Sequence, residues 1–165
     1  MERDHLLRWL RGDVAAVALI EDLGAITQTW DDLADGDAAV SHGALDDAFV
    51  RALTMLPRNP FWLRHQADLL PLLEAWILDW QTANVIERGQ LDNQDMLRVA
   101  WVIRDSSAAL IVACARIVGG WAWARAVSLE VRAWLHDEPF DRYVGGLDQP
   151  AAPPGKVVTG ATLAE

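Results

Sequence analysis

Apolar residues recur every three or four positions along most of this chain of 165 residues, and this spacing limits the possible folds more than any other feature. Side chains three and four positions apart lie on one face of an α-helix, whereas a half-buried strand needs strict alternation. No stretch alternates for long enough to predict a strand. The sequence therefore predicts an all-α fold, a helical bundle of about five or six helices.

Capping residues and helix breakers set the ends of the predicted helices. Asn59-Pro60 combines a capping side chain with proline at the first helical position, which predicts the start of a long helix. Pro71 should kink that helix or split it in two, and Gly119-Gly120 should separate the last two helices. The predicted helices cover residues 2–11, 14–35, 44–56, 60–88, 93–118 and 121–136.

The composition changes after the sixth predicted helix. Residues 1–136 are predicted to form the helical domain, and residues 137–165, which are rich in proline and glycine, a flexible tail or extended arm. Phe140, Tyr143 and Val144 are expected to anchor the first part of this segment on the domain.

The net charge and the distribution of apolar residues indicate which partners and which cellular location to expect. The net charge of −10 argues against nucleic acid, whose phosphates need clustered basic side chains. The N-terminus lacks the order of charged and apolar residues typical of a signal peptide, and charged residues and glycines interrupt the most apolar run, residues 108–129, so we expect no membrane span. The predicted location is therefore cytoplasmic.

Cys114 has apolar neighbours and is expected to be a core residue.

The strongest chemical signal is a group of four aspartates in the stretch 30–37, at the predicted end of the second helix. Asp31, Asp32 and Asp35 can present their carboxylates on one side of the last turn, with Gln28 on the same side. The C-terminal end of a helix disfavours anions, so these charges need compensation. Magnesium could supply it, as could arginines from other helices, or the helix could end early and leave the aspartates in a solvated turn.

The stretch 23–35 resembles the second aspartate-rich motif of the trans-isoprenyl diphosphate synthases. In that family a glutamine lies three residues ahead of an Asp-Asp-x-x-Asp group on a core helix. Gln28 holds this position here, and the resemblance covers about 13 residues. The resemblance implies a terpene-synthase-like all-α protein in which Asp31, Asp32 and Asp35 hold magnesium ions that bind a diphosphate. Gln28 would then line the substrate cavity.

Two charged residues in the fifth predicted helix are further candidates. Arg104 and Asp105 lie among apolar residues and must find partners or reach a cavity. One interpretation is structural: Arg104 pairs with Glu130, or Asp105 pairs with a neighbouring arginine. The other places Arg104 and Asp105 in a central cavity opposite the aspartates, where Arg104 would bind phosphate and Asp105 could complete a metal site.

The leading hypothesis is therefore a magnesium-dependent protein that binds a diphosphate-bearing small molecule, with chemistry like that of an isoprenoid synthase or a pyrophosphohydrolase. Whether it is an enzyme stays open at this stage. The competing hypothesis is a non-enzymatic interaction or assembly protein, a possible homo-oligomer, that uses its acidic surface and C-terminal tail for self-association or for binding a partner.

Overall fold

The computed structural model of the chain describes residues 2–35, 39–89 and 92–147, with the side chain of Asp35 excluded. Within these ranges the fold is all-α and contains no strand, as predicted. A π-helical segment, Arg51–Met55, and a short 3₁₀ turn, Leu56–Arg58, continue the third helix. The α-helices are α1 (Arg3–Trp9), α2 (Val14–Asp35), α3 (His42–Val50), α4 (Pro60–Gly89), α5 (Gln94–Ile103), α6 (Ser107–Leu135) and α7 (Phe140–Leu147).

The predicted starts of two long helices are confirmed by their caps. Asp13 accepts hydrogen bonds from the backbone N–H groups of Ala15 and Ala16, at 3.1 and 3.0 Å, and begins α2. Asn59 does the same for α4 and also donates to the carbonyl oxygen of Ala15 at 2.9 Å, which ties the start of α4 to α2. Helix α4 runs through Pro71 as one element, so proline does not split it.

The predicted fifth helix is wrong in its extent, because the chain leaves the helix at residues 104–106. Asp105 and Ser106 have side chains that compete with the helical backbone for hydrogen bonds, so these residues favour turns. The turn separates α5 from α6. As a result Arg104 lies at the end of α5, where its side chain faces α4 and α2.

Helix α6 has a sharp break at Gly120, where the backbone has φ 78° and ψ 178°. L-residues with side chains rarely adopt this conformation, so glycine is required there. The halves of α6, residues 107–119 and 121–135, pack beside each other, as the contact between Asp105 and His136 shows. A Cβ atom on Gly119 would lie 2.3–2.7 Å from the Trp123 side chain. The predicted break at Gly119-Gly120 is therefore confirmed.

Two clusters of buried apolar residues hold the helices together. The larger one lies between α1, α2, α4 and α6 and includes Trp9, Leu19, Phe61 and Ile111. The smaller one joins α4, α5 and α7. Tyr143 of α7 belongs to it, so the start of the predicted tail is anchored on the helices as expected. The predictions for residues 148–165 lie outside the described residues.

Cys114 is buried, and its burial raises the pKa of the thiol to about 12.

Within the described part of the chain, one stretch could cross a membrane by length and composition. It is Gln94–Leu135, with a mean hydropathy of 1.5 in its most apolar window, one third of which is buried in the fold. The turn at residues 104–106 and the break at Gly120 interrupt this stretch, and the core helices of soluble proteins share its composition. The expected lack of a membrane span stays a prediction.

Candidate functional site

The acidic end of α2 is where the predicted site residues meet other helices. Asp31 accepts a hydrogen bond of 2.9 Å from Trp80 Nε1 on α4, and its Oδ1 atom lies 3.2 Å from Nη2 of Arg104. Asp32 accepts a hydrogen bond of 2.9 Å from the Gln28 amide on the preceding turn. Asp35 is the last residue of α2, and the role predicted for its side chain lies outside the described part of the structure.

Arg104 joins this acidic end to a buried carboxylate. Its Nη1 atom lies 2.6 and 2.7 Å from the two carboxylate oxygens of Glu87 on α4. Tyr143 of α7 also donates a hydrogen bond to Glu87. The Glu87 residue is only 7% exposed, so these contacts compensate a charge that would otherwise be costly to bury. We call Asp31, Trp80, Glu87, Arg104 and Tyr143 the Arg104 network.

The network explains how the acidic helix end is compensated. Of the three remedies expected from the sequence, pairing with an arginine from another helix is present at Asp31. The interpretation that Arg104 pairs with Glu130 is wrong, because Glu130 forms its ion pair with Arg8 of α1. Burial and the hydrogen bond to Glu87 raise the pKa of the Tyr143 phenol, so this hydroxyl keeps its proton and donates a hydrogen bond to the carboxylate.

Asp105 does not join the Arg104 network. Its carboxylate forms a hydrogen bond and ion pair with His136 at the end of α6, where an arginine partner had been considered. Burial raises the pKa of the Asp105 carboxyl, and the hydrogen bond with His136 opposes that change. The adjacent positions Arg104 and Asp105 therefore make different contacts, and their placement in one cavity stays a prediction.

A cavity of about 670 Å³ lies between α2, α4 and α6, within the size range typical of small-molecule sites. Its walls are largely apolar and include Trp76, and Gln28, Arg51 and Ser107 contribute polar groups. Among the predicted site residues whose side chains the structure describes, Gln28 is the one that lines this cavity. Glu21 and Thr27 are also polar, and the remaining lining residues are Ile20, Leu23, Gly24, Ala25, Leu110, Ile111, Trp134 and Leu135.

The cavity and the Arg104 network follow each other along the same two helices. Gln28 lines the cavity, and Asp31 and Asp32 lie on the next turn of α2. Likewise, Trp76 lines the cavity, and Trp80 on the next turn of α4 holds Asp31. Asn84, one turn further, has a buried side-chain oxygen without a hydrogen-bond partner in the described structure. An apolar cavity thus ends close to a group of carboxylate and amide oxygens.

The donor set at this end suits magnesium chemically, since the ion prefers oxygen ligands and needs only one or two carboxylates besides water and phosphate. Among the described residues, however, no three side chains of His, Cys, Asp or Glu are grouped closely enough to hold a metal. Asp31 already contacts Arg104 and Trp80, so a metal ion would have to compete with these partners.

Sequence reasoning missed several residues of the site. Glu87 was not among the predicted site residues, although Ala83, four positions earlier on the same helix face, could have indicated its burial. Trp80 was not among the predicted site residues either, and its indole N–H is the donor to Asp31. Nothing in the sequence pointed to Arg51, whose guanidinium lines the cavity and forms ion pairs of 2.7 Å with both Asp22 and Asp47.

Comparisons of the chain with protein-family models, with curated proteins and with solved structures found no match. The resemblance of residues 23–35 to an aspartate-rich motif therefore stays a prediction from the motif, and so does the cytoplasmic location.

Proposed function

We propose that this protein binds a small molecule that carries a diphosphate on an apolar body, and that magnesium assists this binding. The observation that carries the proposal is the continuity between the apolar cavity of about 670 Å³ and the carboxylates one helical turn beyond Gln28. The apolar body would occupy the cavity, where contact with Trp76 and its neighbours removes it from water. The diphosphate would lie at the acidic end of α2.

Asp31, Asp32 and Asp35 would hold the ion in this proposal. Magnesium would neutralise the diphosphate, which is the stabilisation that its departure or hydrolysis requires. Arg104 could bind phosphate oxygens through the same fork that now contacts Asp31 and Glu87. An arginine and an aspartate that pair in the ligand-free protein would each gain a partner of opposite charge when ligand and ion enter together. Asp105, which contacts His136, has no part in this arrangement.

Isothermal titration calorimetry with several millimolar magnesium tests the proposal. We expect inorganic pyrophosphate to bind, and a prenyl diphosphate to bind more tightly because its apolar chain fills the cavity. The double variant Asp31→Asn with Asp32→Asn should lose both. The matched control is Asp68→Asn with Asp141→Asn, which removes two exposed carboxylates that do not line the cavity. No binding of either ligand, or binding that survives Asp31→Asn with Asp32→Asn, contradicts the proposal.

A second variant tests the cavity separately. Gly24 lines the cavity, and a Cβ atom built there meets no atom within 4 Å. Gly24→Leu should therefore fill part of the space without disturbing the backbone of α2. We expect it to weaken the binding of the prenyl diphosphate and to leave the binding of pyrophosphate unchanged. Equal weakening of both ligands would place the apolar chain elsewhere.

A second candidate function, self-association or partner binding, is favoured by a different observation. Large apolar side chains are exposed on α3, on its π-helical continuation and on α6, including Phe49, Leu53, Trp121 and Leu129. Exposed apolar groups that form a contiguous patch are typical of interaction surfaces. Light scattering across a range of protein concentrations tests this candidate: a strict monomer throughout contradicts it. The contribution expected from the tail falls largely on residues 148–165, outside the described structure.

A further inference from the structure

The two halves of α6 enclose a groove on the side of the molecule that carries Trp121. Its volume is about 370 Å³, and a second hollow of about 290 Å³ continues it, with Arg132 lining both. The floor consists mainly of small apolar residues such as Ala109 and Ala113. Trp121, which lines the first hollow, is 75% exposed, and Leu129, which lines the second, is 79% exposed. We call this feature the α6 groove.

The α6 groove is basic, although the chain as a whole has a net charge of −10. Arg116, Arg125 and Arg132 line its first hollow, and the Asp105 carboxylate in the second hollow is paired with His136. None of the three side chains has a hydrogen bond, ion pair or ring contact with another residue that the structure describes, and Arg58 is the only other described arginine whose side chain shares this property. Most other arginines are paired, as Arg8 is with Glu130. Three uncompensated cations beside apolar walls favour an occupant that is both acidic and apolar.

Helix α3 presents a surface of this kind. Asp46, Phe49, Val50 and Leu53 follow the spacing i, i+3, i+4 and i+7, so they share one face of α3 and of its π-helical continuation. All four are exposed, and the exposed fractions of Phe49 and Leu53 are 58% and 70%. Asp46 has no hydrogen bond or ion pair with another described residue. We call these four residues the α3 face.

The α3 face is short enough to lie within the α6 groove. From Asp46 to Leu53 it spans seven residue steps, or about 10 Å at a rise of about 1.5 Å per residue. The side of the α6 groove from Trp121 to Arg132 spans about 17 Å by the same rise. A helix that places apolar anchors at this spacing into an apolar groove is a common mode of protein recognition.

We propose that the α6 groove of one copy of this chain receives the α3 face of a second copy. The occupant is thus the chain itself, and the contact is heterologous because different surfaces meet. Each bound copy keeps its own α6 groove free for the next, so assembly continues head to tail. The inference rests on the second candidate function, self-association, and is independent of ligand binding at α2. It assigns the two surfaces that would carry that function.

Light scattering with two full-length variants tests this arrangement. The groove variant, Arg125→Glu with Arg132→Glu, reverses two charges of the α6 groove and leaves the α3 face intact. The face variant, Phe49→Ser with Leu53→Ser, alters the α3 face and leaves the groove intact. We expect the wild type to exceed the monomer mass of 18.3 kDa increasingly with concentration. Each variant alone should stay at the monomer mass up to at least about ten times the concentration at which the wild type first exceeds it.

Mixing the two variants distinguishes a heterologous contact from a symmetric one. The face variant offers an intact groove and the groove variant an intact face, so an equimolar mixture should form a dimer. It should form nothing larger, because the two remaining surfaces are both altered. The matched control for the groove variant is Arg58→Glu with Arg142→Glu, which makes the same change of net charge at exposed arginines outside the groove. This control should assemble like the wild type.

Three results would overturn the inference. A wild type that is monomeric at every concentration overturns both the inference and the candidate function on which it rests. Assembly that persists in the groove and face variants overturns the inference alone, since other surfaces must then carry self-association. Variants that are monomeric alone and stay monomeric when mixed also overturn it, because the intact groove and face then fail to bind each other.

Discussion

The Arg104 network gives the most quantitative prediction about stability. Replacement of Arg104 by methionine removes the guanidinium from Glu87 and Asp31 and keeps most of the aliphatic volume. The Glu87 carboxylate, whose side chain is 7% exposed, would then retain the Tyr143 hydroxyl but lose its cation. Removal of one partner of a buried ion pair costs about 3–5 kcal/mol. Because the Arg104 side chain is 23% exposed, we expect the lower end, about 3 kcal/mol.

The same reasoning predicts a rescue by a second substitution. Glu87→Gln in the Arg104→Met background removes the uncompensated charge, and the amide oxygen can still accept the Tyr143 hydrogen bond. The double variant should therefore be more stable than Arg104→Met by at least about 1 kcal/mol. Urea unfolding followed by far-ultraviolet circular dichroism measures these differences. Arg98→Met is the control, because Arg98 pairs with Asp95 on the surface, where ion pairs contribute little.

Two outcomes would refute this account of the network. If Arg104→Met is destabilised no more than Arg98→Met, the contacts of Arg104 with Glu87 and Asp31 contribute nothing to folding. If the double variant is less stable than Arg104→Met, the Glu87 charge is not the source of the cost.

Three further predictions concern single residues. Because burial and Glu87 raise the pKa of Tyr143 above its ordinary value of 10.0, the folded protein keeps a proton that the unfolded chain loses. The free energy of unfolding should therefore fall as pH rises above about 10, less so in Tyr143→Phe, and tyrosinate absorbance should appear only with unfolding. Gly120→Ala should cost about 1–3 kcal/mol, since its φ is 78°; Gly24→Ala, inside α2 with space for a Cβ atom, should instead stabilise by about 0.5–1 kcal/mol, and chemical denaturation compares them. Asn59→Ala removes both hydrogen bonds of the α4 cap and should lower the melting temperature, with a loss of about 1–2 kcal/mol; an unchanged melting temperature would contradict the cap.

Local signals in the sequence predicted most of the secondary structure. Asp13 and Asn59 begin helices because their side chains satisfy the first free N–H groups, which is a property of a few neighbouring residues. The break at Gly120 was predictable because it also depends on neighbouring residues, the glycine pair Gly119-Gly120. The break at residues 104–106 was not, because apolar residues continue at helical spacing through the turn and hide it.

The candidate site could be predicted only in part. The predicted group of Gln28, Asp31 and Asp32 depends on spacing along one helix. In the structure Gln28 donates a hydrogen bond to Asp32, whereas Asp31 contacts Trp80 and Arg104. Which arginine compensates the aspartates depends on how α5 packs on α4 and α2. By composition Glu130 was an acceptable partner for Arg104, but Arg104 contacts Glu87 instead. The sequence could not predict this contact, because it does not show which helix faces meet.

The most direct test of the proposed function is calorimetry of a prenyl diphosphate with and without magnesium. The account predicts binding that requires the ion, that is lost in Asp31→Asn with Asp32→Asn, and that persists in the control Asp68→Asn with Asp141→Asn. Circular dichroism would verify that all variants are folded. Binding that is independent of magnesium, or equal in the two double variants, would contradict the claim that the acidic end of α2 holds the diphosphate through a metal ion.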